Sequence, residues 1–395
     1  MLRTVRFRRI FISLFVIVAL ASCSKQATRD FIQRLLVAAN PAERYYESAV
    51  SKAQNNDVNG AIADLTEALK EDPMMAKAAN YRGQLKDFLG DTKGAIADYD
   101  LTVRIDPQFG AAYANRGICD EKLGDEKKAY DDYGRAIEID TADAQAYAGR
   151  GQVERIWGDY TDAIADYDQA LELDPGDAAF YDNRGLSKSE SGKYDDAIAD
   201  LSQAIKLNPQ DSTAFTNRGQ AEFWKGDLKP ALADYNQAVH LDSRSGDAYD
   251  GRGLTKRASG DLRGAIEDMT IAIQINPTEP AYYNNRGLAR RANGDLKGAY
   301  VDLTQALVVG PRDAVAYDSM GLIKQDMADL PGALAEYTRA LQLDPKLQFA
   351  YTNRAGARIA THDLAGAKDD LTHALLLKPH DQKAQALLAK IGAVK

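Results

Sequence analysis

Large and small apolar residues recur along this chain with a period of 34. Counting periods from residues 42, 76, 110, 144, 178, 212, 246, 280, 314 and 348, position 20 is alanine in all ten copies, from Ala61 to Ala367. Position 8 is glycine in eight copies, Gly83 to Gly321, and position 4 is aromatic in nine. Position 24 is Tyr, Leu or Met, and position 27 is alanine in nine copies, Thr102 being the exception. Small residues at 8 and 20 let two helices approach closely, while the large ones at 4 and 24 wedge between them. Gly-Asp at positions 15 and 16, as in Gly124-Asp125 and Gly158-Asp159, reads as a C′ glycine followed by an N-cap aspartate. A proline at position 32, present in eight copies, breaks the chain after the second helix. Each period therefore predicts two helices of about 12–14 residues. No insertion or deletion interrupts the register across residues 42–381.

A fixed period of this length means that each unit buries its apolar face against its neighbours, so the core grows along one axis. That accounts for 395 residues without a composition break between globular domains. Position 7 is arginine in eight copies, Arg82 to Arg354, with Ser48 and Met320 as exceptions, and position 23 is acidic in all ten. Both lie at nearly equal distances from the turn of an antiparallel hairpin. Arg116–Asp132, Arg150–Asp166 and their equivalents are expected to pair and staple each hairpin, a structural role.

The Gly, Ala, aromatic and Pro positions, covering 340 of the 395 residues, resemble the tetratricopeptide repeat, a 34-residue helix-turn-helix unit. The arginine at position 7 departs from that family's commoner leucine. The resemblance implies an all-α solenoid: a right-handed superhelix of ten repeats whose first helices line a concave groove. Residues 382–395, with Ala384, Leu387, Leu388 and Ile391 at helical spacing, read as the terminal cap such arrays need. In related arrays an asparagine at position 6 faces the groove and bonds the backbone of an extended peptide. Here that position holds Asn115, Asn183, Asn217, Asn285 and Asn353, interrupted by Gly149, Gly251 and Ser319. An amide offers donor and acceptor alike, so such a ladder can hold a peptide without reading its sequence. The other reading is a compact polar residue on a solvated face.

Phe223 and Trp224, at positions 12 and 13 of the sixth repeat, are a candidate hot spot, or else packing between helices. Lys256-Arg257 and Arg290-Arg291, continued by Lys324 and Arg358, form a candidate basic stripe, where earlier repeats carry Asp87, Asp120, Glu121 and Glu154. Such a stripe could receive an acidic segment or an anionic glycan, or be a solvated charge run. The carboxylate-clamp type of the repeat needs Lys at position 5 and Asn at position 9; no copy has either, so chaperone-tail binding is not supported.

The first residues follow another pattern. Arg3, Arg6, Arg8 and Arg9 precede an eleven-residue apolar run, Ile10 to Leu20, which is too short to span a bilayer comfortably. It ends in Leu20-Ala21-Ser22-Cys23, which resembles the lipobox of bacterial lipoproteins. The resemblance implies cleavage after residue 22 and acylation of Cys23, including a diacylglyceryl group and in most cases a further acyl chain on the new amine. Two or more chains hold a protein stably on a membrane, where one does so only marginally. The same resemblance implies that aspartate at position 24 would favour the inner membrane, so Ser24 points to the outer membrane facing the periplasm. The expected organisation is residues 1–22 as signal peptide, 23–41 as lipidated cysteine and tether, 42–381 as the array and 382–395 as the cap.

The formal net charge is −9, and without the first 22 residues 45 bases face 58 acids, a balance of −13. That disfavours nucleic acid as a partner. With Cys23 acylated, Cys119 has no disulfide partner; it reads as a small, buried, inert thiol at position 10. The four histidines show no metal-ligand spacing, and no nucleophile–base pair, phosphate loop or cofactor fingerprint is visible. The sequence thus predicts a non-enzymatic adaptor without cofactor or metal, lipid-anchored in the cell envelope and binding proteins or extended peptides in the groove. Two alternatives stay open: a scaffold for peptidoglycan or exported polysaccharide, and a cytoplasmic adaptor on an uncleaved anchor.

Overall fold

The residues that set the period also build the hairpins. The computed structural model describes residues 40–392, and among them every element is helical. The signal segment and Cys23 lie outside the described residues. Contacts divide the chain into two blocks, the first ending at Pro175 and the second beginning at Gly176.

The first block holds four hairpins: α1 (Pro41–Gln54) with α2 (Val58–Glu71), α3 (Ala76–Phe88) with α4 (Thr92–Ile105), α5 (Gly110–Lys122) with α6 (Glu126–Ile139), and α7 (Ala144–Trp157) with α8 (Tyr160–Leu173). The second block holds six. These are α9 (Ala178–Glu190) with α10 (Tyr194–Leu207), α11 (Ser212–Lys225) with α12 (Leu228–Leu241), and α13 (Gly246–Ala258) with α14 (Leu262–Ile275). They continue with α15 (Pro280–Ala292) and α16 (Leu296–Val309), α17 (Ala314–Asp326) and α18 (Leu330–Leu343), and α19 (Gln348–Ala360) and α20 (Leu364–Leu377). A last helix, α21 (Gln382–Gly392), follows; its Leu387, Leu388 and Ile391 pack on Ala367, Leu371 and Ala374 of α20.

Within a hairpin the position-20 alanine is fully buried in every repeat, and the position-24 side chain fills the seam beside it. Tyr99, Tyr133, Tyr167 and Tyr337 are among the largest fully buried side chains. They require glycine opposite: a Cβ on Gly83 would stand 2.7 Å from the Tyr99 ring. The turn residue at position 15 is left-handed in all ten repeats, with φ between 77° and 96° at seven glycines and 63° at Asn56, Ala328 and His362. The following aspartate caps most of the second helices; Asp57 and Asp91, for example, each accept from the backbone N–H three residues on, at 2.9 Å. Asp159 occupies the N-cap place without making that hydrogen bond.

First helices of successive repeats touch directly: α3 with α5 and α5 with α7 in the first block, and the series α9, α11, α13, α15, α17, α19 and α21 in the second. The first-helix side is therefore the inner face of each block, where a groove forms.

Candidate functional site

The arginines of position 7 are wholly taken up by the fold. In all eight repeats that carry one, Nε and Nη2 each donate to one oxygen of the position-23 aspartate at 2.6–3.0 Å, from Arg82–Asp98 to Arg354–Asp370. This bears out the expected staple. Six of these arginines also donate from Nη1 to a side chain on the second helix of the preceding repeat: Thr66, Asp100, Ser202, Asn236, Thr270 or Thr338. Seven stack over their own position-4 ring, with centroid distances of 5.1–5.9 Å. One guanidinium thus ties both helices of its hairpin and usually the hairpin before, by planar bidentate geometry that lysine cannot reproduce. The hydrogen bonds to Asp132 hold the Arg116 guanidinium above its ordinary pKa.

The basic stripe read from the sequence needs correction, because most of its charge is consumed inside the hairpins. Lys256, Arg290, Lys324 and Arg358, all at position 11, pair with Asp268, Asp302, Glu336 and Asp370; three of these acids also hold a staple, and Glu336, facing Met320, does not. Arg291 pairs with Asp326 of α17 at 2.6 Å. Arg257 is half-buried, and burial pushes its pKa down, with Asp250 acting in the opposite sense. Three repeats carry an acid at position 11 instead. Burial, then the facing Asp166 and Asp234, push Glu154 and Glu222 each up to about 7. Their Oε2 atoms are buried without a hydrogen-bond partner.

The asparagines are also engaged. Asn115 donates to Asn80 Oδ1 at 3.4 Å, Asn285 to Asp250 Oδ2 at 2.8 Å, Asn217 to both oxygens of Asp182 and Asn353 to both oxygens of Asp318. Each such rung joins position 6 of one repeat to position 5 of the one before. Four of the five amides therefore donate to the array itself, a correction to their reading as a row of free groups. Asn183 is half-buried on α9. The gap at Gly251 has a packing cause, since a Cβ there would lie 2.4 Å from the ring of Tyr235.

One segment of the groove is open. Between α11 and α13 lies a cavity of about 280 Å³ lined by Asn217, Gln220, Phe223, Trp224, Tyr235, Asp247 and Asp250, among others. Phe223 and Trp224 meet edge to face, centroids 5.3 Å apart, and Trp224 is 59% exposed, so the pair forms a wall of the cavity rather than interhelical packing. Asp250 is only 8% exposed. Burial pushes it up to about 7 against the hydrogen bond from Asn285, which lowers it, while Asp247 raises it further. Sequence reasoning missed both aspartates. The usable signal was an acid at position 5 followed 35 residues later by the asparagine of position 6. Cys119 is fully buried, and burial pushes its thiol up to about 12, as suits an inert packing residue. Among the described residues no group of His, Cys, Asp and Glu could hold a metal ion, and no helix is long and apolar enough to cross a membrane.

Family models for the tetratricopeptide repeat match residues 46–108, 183–248 and 144–177. No curated protein matches the sequence. Among solved structures, a chain of the APC/C hetero-tetramer Cut9–Hcn1 is similar with a TM-score of 0.51 and 13% identity, over 90% of this chain and 98% of that one. A tetratricopeptide repeat protein from Parabacteroides merdae gives 0.52 and 19%, over 63% and 98%. Yeast Tom70 gives 0.50 and 15%, over 89% and 88%. At these identities the likeness concerns the fold alone. Tetratricopeptide repeats are therefore recognised in this chain, and its tandem helix pairs form an all-α solenoid of that kind.

Proposed function

We propose that the protein is a non-enzymatic adaptor that holds an extended segment of a partner protein against the first helices of its second block. The observation that carries this reading is the cavity between α11 and α13. There an exposed tryptophan stands beside the Asp250 carboxylate, whose buried Oδ1 has no hydrogen-bond partner. Exposed aromatic anchors in a concave, partly polar setting are where interfaces concentrate their energy. The repeat supports the same reading, since proteins built from it are generally scaffolds. The array is further proposed to sit on a bacterial envelope membrane through acylated Cys23, a reading supported by the Leu20-Ala21-Ser22-Cys23 box and the apolar run before it.

Site-specific photocrosslinking in cells tests the groove. A photoreactive residue replacing exposed Gln220 should capture a defined partner, whereas one replacing exposed Lys229 on α12 should not. Equal capture from both places, or none from either, would sink the groove reading. Intact-mass analysis of the mature N-terminus tests the anchor: an acylated Cys23 is expected, and a chain retaining residues 1–22 overturns it.

A further inference from the structure

Three aspartates at position 5 make rungs with the asparagine of the next repeat, and one of them differs. Asn217 donates to both oxygens of Asp182, and Asn353 to both oxygens of Asp318. Asn285 reaches only Oδ2 of Asp250, and the buried Oδ1 has no hydrogen-bond partner. A carboxylate offers about four acceptor sites, and one left unfilled out of water is costly. The last rung shows what completes such a group. Lys383 of α21 donates to Asn353 Oδ1 at 2.9 Å, and its ammonium acts favourably on Asp318. By the 34-residue period the place of Lys383 is taken, for the Asp250–Asn285 rung, by Val315, which brings no charge.

We propose that the cavity between α11 and α13 takes the cationic side chain, Lys or Arg, of a bound peptide. The proposal rests on the groove reading above. Asp250 and Asp247 supply the countercharge; Asp247 already accepts from the Tyr282 hydroxyl, at 2.5 Å. Phe223 and Trp224 supply aromatic faces, which attract a cation within about 6 Å of the ring centre. Arg257 acts favourably on the Asp250 carboxylate, but it makes no ion pair with it and does not line the cavity.

The test is selection from a random nine-residue peptide library on the immobilised chain, followed by titration of the selected peptide. One position should be enriched in Lys or Arg. Replacing that residue by norleucine should weaken binding at least tenfold, as should Asp250→Asn. Trp224→Ala, at an exposed side chain, tests the aromatic wall without disturbing the core and should weaken binding as well. Val315→Lys, also exposed, should compete internally and weaken it tenfold. Selected peptides that lack a base but still lose affinity with Trp224→Ala would overturn the cation site and leave the groove reading standing. Binding unchanged by Asp250→Asn and by Val315→Lys would overturn it too. A library that yields no peptide overturns both.

Discussion

Asp302 is 2% exposed and receives Arg286 on both oxygens and Arg290 on Oδ2. Two guanidiniums on one buried carboxylate leave little room for compensation if its charge is removed. Asp302→Asn should therefore cost about 3 kcal/mol, read as a lower urea midpoint, because the arginines would keep their charge in a place built for a pair. The cost should leave peptide binding at α11 and α13 unchanged. A smaller residue effect lies at the turns. Ala328 holds φ at 63°, where an L side chain is strained and glycine is not. Ala328→Gly should raise stability by about 1 kcal/mol in chemical denaturation, and an unchanged or lower midpoint would show that the turn relaxes without it.

At the scale of the hairpin, position 11 decides whether the staple is reinforced or opposed. Seven repeats place a base there, against the acid of position 23; repeats three, four and six place Asp120, Glu154 and Glu222. Around Glu154 stand Asp166, Asp162 and Asp159, which raise its pKa, while Arg150 lowers it. Its folded pKa of about 7 lies above the ordinary 4.5, so the folded hairpin keeps a proton that the unfolded chain has already released. Stability is then full below about pH 4.5 and falls as pH rises through 7. Glu222 acts in the same direction. Glu154→Lys recreates the pairing of the other repeats and should raise the melting temperature at pH 8 more than at pH 5. Equal shifts at both values would mean that the titration lies elsewhere. The two helices of each repeat and the Arg–Asp staple were legible in the sequence, because a strict period and equal distances from a turn fix who faces whom. The fate of the position-11 bases was not. Lys256 and Arg290 stand one turn beyond the staple arginine, and only the three-dimensional approach of position 23 shows that one carboxylate takes both cations. Asp250 was hidden for a related reason: its rung joins residues 35 apart in different repeats, outside any single 34-residue frame.

In a molecule of stacked repeats, each unit owes its order to its neighbours, so an end is a weak point unless something covers it. In the second block α21 does this for the tenth repeat. Leu387, Leu388 and Ile391 cover the apolar side of α20, and Lys383 completes the Asp318–Asn353 rung on the inner face. Gln348 and Thr352 of α19 in turn hydrogen-bond Asp381, just before that helix. Ending the chain after Asp381 would uncover Leu371 and Ala374 and leave Asp318, whose pKa burial has already raised to about 6, without its nearest ammonium. Nearest-neighbour coupling predicts a graded outcome rather than collapse of the array. Amide exchange should accelerate most in α19 and α20, less in α17 and α18, and not at all in α1 to α8. Uniform acceleration along the whole chain would instead mean that the array folds as one cooperative body, and that α21 stabilises all of it rather than sealing one end.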